Sequence, residues 1–356
     1  MAALPETAAF CIAVGDASVE QARRCRATFK LFHPEIPFYI LDENLYLWFT
    51  RQREIIHAGE IVSLRSIVGA TLAKLHPHLL YLDADVLVLG PLTALLESPA
   101  PLTVTADTTS YGLGEPVLNA GVLAARGEAF WHAWMQRIYS QIVPILGNFL
   151  DQLSLRELCM EPTFPHHRIP EGKGEAFYNL SYWEHPGEWR VENGVLHRGD
   201  AEVRLWHFGG GKPENKHWDK MPPEPRALAQ ALLGRAEPFL DYAAEAEALE
   251  ALLAPMEAEY LRGMEAFFRQ VPTRTRDDLP APVETTGLLC SDAPASWDQF
   301  RNLEGTGFHR RLLAPPPRFI YAQDPARLER LDLAQATLRR EWAGLLEEEG
   351  KNAGQA

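Results

Sequence analysis

The sequence predicts an α/β protein in which a sheet flanked by helices is followed by a mostly helical C-terminal extension. Short apolar runs alternate with stretches of helical periodicity in the N-terminal half, a pattern typical of strands joined by helices. From about residue 223 the composition shifts to alanine, leucine and glutamate at helical spacing. These observations divide the 356 residues into a sheet-containing region, 1–222, and an extension, 223–356.

The first elements form a strand–helix–strand unit. Residues 8–14 are an apolar run that Gly15 and Asp16 end, which predicts a buried strand. Residues 18–32 carry apolar side chains on one helical face, and Ser18 is a candidate N-cap. A second strand is predicted over 36–41. This order predicts parallel strands with right-handed crossovers.

Strands and helices keep alternating in the middle of the chain. The predicted elements are a helix at 60–76, strands at 79–82, 86–89, 101–106 and 117–124, a helix at 127–143 and a strand at 202–208. Asn193 and Gly194 stand between two extended segments, which predicts a tight hairpin.

The extension has three parts. Residues 224–270 carry an apolar stripe at helical spacing, and residues 271–318 are rich in proline and polar residues. Asp324 and Pro325 then begin a further helix with a short heptad-like pattern. We expect the extension to pack on the core or on a second subunit, as in a homo-oligomer.

The chain is acidic and has few cysteines. Its 34 basic and 48 acidic residues give a net charge of −14, which argues against nucleic acid as a partner. The four cysteines form no CxxC pair, which argues against a disulfide scaffold or a cysteine zinc site. The N-terminus lacks a basic region, and no apolar stretch reaches about 18 residues. We therefore expect a cytoplasmic protein without a secretory signal or a transmembrane segment.

Two aspartates follow the apolar run at 79–82. Asp83 and Asp85 are spaced i, i+2 at the carboxyl end of a strand, where open α/β sheets bind their ligands. Two carboxylates can hold Mg²⁺ or Mn²⁺ there, and such a metal neutralises a diphosphate leaving group. Aspartate is also common in turns after strands, so the pair alone leaves a structural role open.

A second polar segment follows the last predicted strand. His207 is a candidate metal ligand, and residues 209–211 are glycines whose backbone can approach phosphate oxygens closely. Lys212 adds a positive charge. Taken alone, the segment also fits a glycine loop with a solvated lysine.

Together these segments resemble glycosyltransferase family 8, whose members are retaining enzymes of the GT-A fold. The segments, in chain order, are the first strand, Asp83-Ala84-Asp85, Leu118-Asn119-Ala120-Gly121-Val122-Leu123, Asp151-Gln152, and His207 with the glycines and Lys212-Pro213. The resemblance covers roughly residues 8–220. It implies a Rossmann-like sheet that binds a nucleotide sugar, and a hexosyltransferase that uses a UDP-hexose and a divalent metal.

The resemblance also implies roles for individual residues. Asp83, Asp85 and His207 would bind Mn²⁺ or Mg²⁺. The donor would be bound by Val14, Asp16, Ser18, Arg65, Ala84, Gly210 and Lys212. The sugar subsite would be lined by Asp107, Asn119, Asp151 and Gln152. Ser18 stands where family members usually carry an aromatic residue that stacks on uracil.

Two routes to retention stay open. Asp151 or Gln152 falls where the family has a group near the anomeric carbon, and Asp151 could act as a covalent nucleophile. Alternatively, the acceptor hydroxyl attacks on the same face while the departing phosphate takes its proton. The acceptor (a glycan, a lipid-linked sugar or a protein) is not specified by the sequence.

Two other functions fit parts of the pattern. A sugar-nucleotide nucleotidyltransferase also uses metal-binding carboxylates on an α/β sheet, but it should carry a basic, glycine-rich loop where this chain has Gly15-Asp16-Ala17-Ser18. A non-catalytic glycosyltransferase-like scaffold would bind a nucleotide sugar, or a partner through residues 223–356. The presence of both aspartates, His207 and Lys212 favours catalysis.

Overall fold

The computed structural model describes residues 4–50, 58–107, 117–140, 150–161, 163–169, 176–181, 188–208 and 221–270. The chain divides into two compact units. The first comprises Met1–Phe49, Arg65–Ala133 and Leu155–Glu257, and the second comprises Thr50–Leu64, Trp134–Ser154 and Ala258–Ala356. All the strands of the described residues belong to the first unit.

The strands and helices of the described residues follow the predicted alternation. The strands are β1 Thr7–Ile12, β2 Phe38–Leu41, β3 His78–Leu82, β4 Val86–Val88, β5 Leu102–Asp107, β6 Val117–Arg126, β7 His167–Arg168, β8 Leu180–Ser181, β9 Trp189–Glu192, β10 Val195–Arg198, β11 Ala201–Glu202 and β12 Leu205–His207. The helices are α1 Asp16–Lys30, α2 Glu43–Thr50, α3 Ala58–Leu72, α4 Thr93–Leu96, α5 Ala129–Ser140, α6 Leu150–Met160, α7 Pro223–Ala236, α8 Ala243–Leu253 and α9 Glu257–Gln270.

The central sheet has the strand order β2-β1-β3-β6-β5-β7 and confirms the predicted α/β class. β1 pairs in parallel with β2 and β3, and β5 pairs in parallel with β7. β6, however, runs antiparallel to both β3 and β5, so the parallel pairing predicted from the first strand–helix–strand unit does not extend to this strand. The segment between β5 and β6 is too short for the crossover that a parallel pair needs.

Apolar side chains cover both faces of β1. Ala9 and Cys11 belong to the same buried cluster as Phe29 of α1. On the opposite face, the ring of Phe10 lies 5.1 Å from that of Tyr81 and 5.7 Å from that of Trp131 in α5, measured between centroids. Burial on both faces explains why the sequence of β1 is a continuous apolar run. Burial of each large apolar side chain stabilises the folded protein by about 1.5–3 kcal/mol.

The turn from β1 into α1 differs from the prediction. The helix begins at Asp16, and its N-cap is Gly15, with φ 85° and ψ 148°. Side chains rarely allow this backbone conformation, so the glycine lets the chain turn into the helix earlier than expected. Ser18 is therefore in the first turn, where its N–H donates to the Gly15 carbonyl at 3.0 Å, and it is not the N-cap.

Two smaller sheets, β4-β12-β8 and β11-β10-β9, follow the central one. The hairpin predicted at Asn193 and Gly194 is confirmed: it joins β9 to β10, and both residues have positive φ, 52° and 79°. The strand predicted over 202–208 is divided between β11 and β12, which lie in different sheets. An apolar run in the sequence does not indicate that its two ends pair with strands of different sheets.

Helices α7 to α9 confirm the helical character predicted for residues 224–270. In the first unit, Glu245 of α8 forms ion pairs with Arg26 and Lys30 of α1, the second at 2.9 Å. Both cationic side chains are buried, so this acidic partner fixes α8 against the helix that covers β1. The proline-rich segment and the helix predicted at Asp324 lie outside the described residues, and the boundary at 222 stays a prediction.

None of the helices in the described ranges is long and apolar enough to cross a membrane.

Candidate metal centre

Asp83, Asp85 and His207 meet at the end of β3. Asp83 is the residue after this strand, Asp85 precedes β4, and His207 is the last residue of β12. β12 pairs with β4, with His207 opposite Val86, and the N–H of Phe208 donates to the Asp85 carbonyl at 3.0 Å. This pairing brings a histidine far along the chain to the two aspartates.

The three side chains offer one converging set of ligand atoms. His207 Nε2 lies 3.2 Å from Asp85 Oδ1 and 3.5 Å from Asp83 Oδ2. One ligand atom from each residue lies within 4.8 Å of the others. Two carboxylate oxygens and an imidazole nitrogen fit a divalent cation such as Mn²⁺, because carboxylates suit hard cations and imidazole suits the transition metals.

The second oxygen of Asp83 is held by neighbouring side chains. The Tyr81 hydroxyl donates to Asp83 Oδ1 at 2.6 Å, and the Arg65 guanidinium lies 3.0 Å from the same oxygen. Arg65 also lies over the Tyr81 ring, 5.0 Å from its centroid. These contacts orient the carboxylate so that Oδ2 faces His207.

The charges at the site shift the pKa values of Asp83 and His207 in opposite directions. Burial raises the pKa of Asp83, but Arg65, His207 and the Tyr81 hydroxyl outweigh burial and hold that pKa well below its usual range. Burial lowers the pKa of His207, but the carboxylates of Asp85 and Asp83 outweigh it and raise that pKa to about 10. These contacts therefore keep the Asp83 carboxylate ionised, which is the state that binds a cation.

A glycine makes room for the cluster. A Cβ atom on Gly121 of β6 would lie 2.3 Å from Asp83 Oδ2, 2.7 Å from His207 Cε1 and 2.8 Å from Asn119 Oδ1. The Gly121 N–H donates to Asn119 Oδ1 at 2.6 Å, and its carbonyl accepts the N–H of Asp83 at 2.7 Å. Any side chain at position 121 would occupy the space that the ligand atoms share.

The register between β5 and β6 shifts beside this glycine. Leu123 lies opposite Val104, but Asn119 lies opposite Thr105, so the intervening residues of β6 form a bulge. Bulges often occur next to functional sites, where they redirect side chains. Here the bulge sets Gly121 and Asn119 beside the metal-binding candidates.

The residues near β1 that are predicted to bind the donor are exposed or half-buried. Val14 follows β1 and is half-buried, Asp16 is exposed at the first position of α1, and Ser18 is half-buried in its first turn. Ala84 packs against the main core cluster between the two aspartates. Arg65, predicted to approach the donor, contacts Asp83.

The residues predicted for the sugar subsite are distributed over several elements. Asn119 is buried on β6, and Asp107 ends β5 opposite Val117. Asp151 and Gln152 lie on α6; the Asp151 side chain is buried, and its carbonyl accepts the Trp134 indole N–H at 2.9 Å. Gly210 and Lys212 lie outside the described residues, so their roles stay predictions.

Three residues that contact the cluster, Tyr81, Gly121 and Asn179, are not predicted from the sequence. Tyr81 and Gly121 lie in a predicted strand and in a motif, but the sequence assigns neither residue a role of its own. Asn179 accepts a hydrogen bond from His207 Nδ1 at 2.9 Å. No local sequence signal distinguishes Asn179 from any other asparagine near a short strand.

No protein-family model matches this chain, and no curated protein sequence does. Among solved structures, the chain is similar to a glycosyltransferase involved in glycosylation of the major capsid of PBCV-1, with a TM-score of 0.42, 15% identity and coverage of 60% of this chain and 98% of that chain. It is similar to the galactosyltransferase LgtC, solved with donor and acceptor sugar analogues, with a TM-score of 0.40, 16% identity and coverage of 64% and 95%. A third is the glycosyltransferase GlyE of Streptococcus pneumoniae TIGR4, with a TM-score of 0.33, 18% identity and coverage of 46% of each chain.

Proposed function

We propose that this protein is a metal-dependent glycosyltransferase that moves a hexose from a UDP-sugar to a glycan, lipid-linked or protein acceptor, with retention as in glycosyltransferase family 8. The observation that carries the proposal is the convergence of Asp83 Oδ2, Asp85 Oδ1 and His207 Nε2 at the carboxyl end of β3. Ligands of open α/β sheets bind at this edge. The order of motifs along the chain supports the family.

The proposed mechanism depends on stabilising the leaving group. Asp83, Asp85 and His207 would hold Mn²⁺ or Mg²⁺, and such an ion, when bound, neutralises the charge that develops on the departing diphosphate. Tyr81 and Arg65 hold Asp83 Oδ1, so that Oδ2 stays directed at the site without movement. Preorganised groups of this kind cost no reorganisation during the reaction.

The other predicted residues belong to the same proposal. Lys212 and Gly210 would contact the diphosphate, and the turn after β1 would receive the nucleoside. Asp151 would act as a covalent nucleophile, or the acceptor hydroxyl would attack on the same face. We assign the sheet-containing region to catalysis and the extension to packing, acceptor or oligomer contacts, in a cytoplasmic protein.

Release of nucleoside diphosphate tests the proposal without knowledge of the acceptor. The full chain is incubated with Mn²⁺ and a panel of nucleotide sugars, with water as the acceptor. We expect slow release of UDP from one UDP-hexose, and its loss in Asp83→Asn and Asp85→Asn. These variants keep the side-chain size but remove the charge that binds the metal.

The matched control is Asp200→Asn, since this aspartate lies in an exposed turn with a side chain 97% accessible to solvent. It should keep the activity of the unchanged protein. Failure of every nucleotide sugar to bind or turn over in the presence of Mn²⁺ would refute the proposed function.

A further inference from the structure

We infer that Asn179 is a positioning residue which, together with Thr105, keeps the proton of His207 on Nδ1 and directs Nε2 at the two aspartates. This inference rests on the proposed metal site and names residues that no motif points to. Thr105, Asn179 and His207 are all buried, with exposed fractions of 0%, 0% and 3%. Water therefore does not compete for the hydrogen bonds that join them.

The hydrogen-bonded series begins at the bulge of β6. Val122 lies in the stretch of β6 that the register with β5 skips. Its carbonyl accepts a hydrogen bond from the Thr105 hydroxyl at 3.0 Å. A carbonyl can only accept, so the single hydroxyl proton of Thr105 is committed to Val122.

The hydrogen bond from Thr105 to Val122 determines how the Asn179 side chain is oriented. Thr105 Oγ1 is left as an acceptor for Asn179 Nδ2, which lies 3.0 Å away. The amide nitrogen of Asn179 therefore faces Thr105, and its oxygen faces the other way. The partners of an asparagine are what determine which way its amide points.

The amide oxygen in turn decides where the imidazole carries its proton. Asn179 Oδ1 lies 2.9 Å from His207 Nδ1, and an oxygen that can only accept requires an N–H there. In the neutral imidazole the lone pair is then on Nε2, the atom that lies 3.2 Å from Asp85 and 3.5 Å from Asp83. This tautomer is the one that presents a metal-binding nitrogen to the site.

The backbone fixes the distance between the two side chains. Asn179 immediately precedes β8, which pairs in parallel with β12: Leu180 lies opposite Trp206, and Ser181 lies opposite His207. The side chain of Asn179 thus reaches His207 from the position just before the adjacent strand of the same sheet.

One alternative arrangement is chemically consistent and defines the test. If the Thr105 proton left Val122, the Asn179 amide could turn over and donate to Nδ1, and His207 would then carry its proton on Nε2. That histidine would donate to Asp83 and Asp85 and could not bind a metal. The presence of a proton on Nδ1 therefore distinguishes the two arrangements.

Nitrogen NMR of the full chain labelled with ¹⁵N-histidine, recorded without metal or substrate above pH 10, where the ring of His207 is neutral, reads this proton directly. The signal of His207, one of 12 histidines, is assigned by its loss in His207→Ala. We expect a hydrogen-bonded Nδ1–H that is lost in Asn179→Ala and in Thr105→Val. Thr105→Ser, which keeps the hydroxyl, should retain it.

Metal affinity gives the second measurement, with Mn²⁺ alone as the probe in titrations followed by electron paramagnetic resonance. Loss of a residue that orients a metal-bound histidine typically weakens binding by about 10- to 100-fold, and we expect this for Asn179→Ala and Thr105→Val. Thr103→Val is the matched control. It removes a buried hydroxyl of the same strand whose partner is Ser98, at 2.6 Å.

A double variant separates positioning from simple packing. A carboxylate cannot donate, so Asn179→Asp should keep the proton on Nδ1 even when Thr105→Val is combined with it. If Thr105 mattered only for packing, the combination would bind Mn²⁺ as weakly as Thr105→Val alone, and the inference would be wrong.

The outcomes also separate this inference from the proposed function. Absence of a proton on His207 Nδ1, or unchanged Mn²⁺ affinity in Asn179→Ala and Thr105→Val, overturns the inference while the metal site stands. Absence of Mn²⁺ binding in the unchanged protein overturns the metal site. A proton on Nδ1 that is lost in both variants then still supports the assignment of the tautomer.

Discussion

Gly121 is the residue whose size sets the space inside the candidate metal centre. A Cβ atom there would overlap Asp83 Oδ2 at 2.3 Å, a separation that real Cβ atoms do not show. We predict that Gly121→Ala lowers the affinity for Mn²⁺ by about 10-fold or more, because the carboxylate and His207 must move apart. Titration with Mn²⁺ followed by electron paramagnetic resonance measures this change.

The control for this prediction is Gly234→Ala in α7, where an added Cβ meets no atom within 4 Å. It should bind Mn²⁺ as the unchanged protein does. Equal affinities for Gly121→Ala and Gly234→Ala would show that the cluster is not arranged for a metal.

The two carboxylate oxygens of Asp83 have different partners. Oδ1 is held by the Tyr81 hydroxyl and by Arg65, and Oδ2 faces His207. The residue type and its position after a strand were predictable from the sequence. Which oxygen is directed at the site depends on side chains that only folding brings together.

Helix α3 also depends on a contact that only folding brings about, in this case with another helix. Its Gly69 lies against Trp131 of α5, and a Cβ at this position would lie 2.1 Å from the indole ring. We predict that Gly69→Ala destabilises the protein, since overpacking of a core costs about 1–3 kcal/mol. That cost exceeds the gain of up to about 1 kcal/mol that alanine brings inside a helix.

Urea unfolding measures the effect, and Gly234→Ala again provides the comparison. At that exposed helical position only the favourable helix propensity operates, so its free energy of unfolding should rise by up to about 1 kcal/mol. The two glycine-to-alanine substitutions are thus predicted to change the free energy of unfolding in opposite directions. A change in the same direction for both would contradict the contact of Gly69 with Trp131.

The stability of the whole molecule should depend on buried histidines. Burial lowers the pKa of His33, His76 and His78, and for His78 burial and the nearby Arg126 lower it to about 4. Between pH 6.5 and about 4 the unfolded chain binds a proton at position 78 that the folded protein does not bind. The contribution of His78 to stability is therefore complete above pH 6.5 and is lost as the pH falls toward 4.

We predict that His78→Gln reduces the pH dependence of the free energy of unfolding in this range. One histidine that titrates only in the unfolded state accounts for at most about 1.4 kcal/mol per pH unit. Urea unfolding at pH 7.5 and pH 4.5 measures the difference between the variant and the unchanged protein. His166→Gln alters an exposed histidine and should keep the original pH dependence, and equal pH dependence in both variants would refute the prediction.

The sequence by itself determined the features that depend on neighbours along the chain. The apolar runs of β1 and β3, the hairpin at Asn193 and Gly194, and the pair of aspartates after β3 all follow from local periodicity, turn chemistry and spacing. Composition and charge likewise predicted an acidic protein with helices toward its C-terminus. Such features require no knowledge of which strands pair.

The tertiary structure decided everything that depends on strand order and register. The antiparallel insertion of β6, its bulge, and the pairing of β12 with β4 and β8 bring Gly121, Asn179 and His207 together. Local sequence cannot specify such contacts, because the partners lie far apart along the chain and a register shift of one residue would face every side chain the other way. The sequence thus supplied the ligand types, and the fold selected which of their atoms face one another.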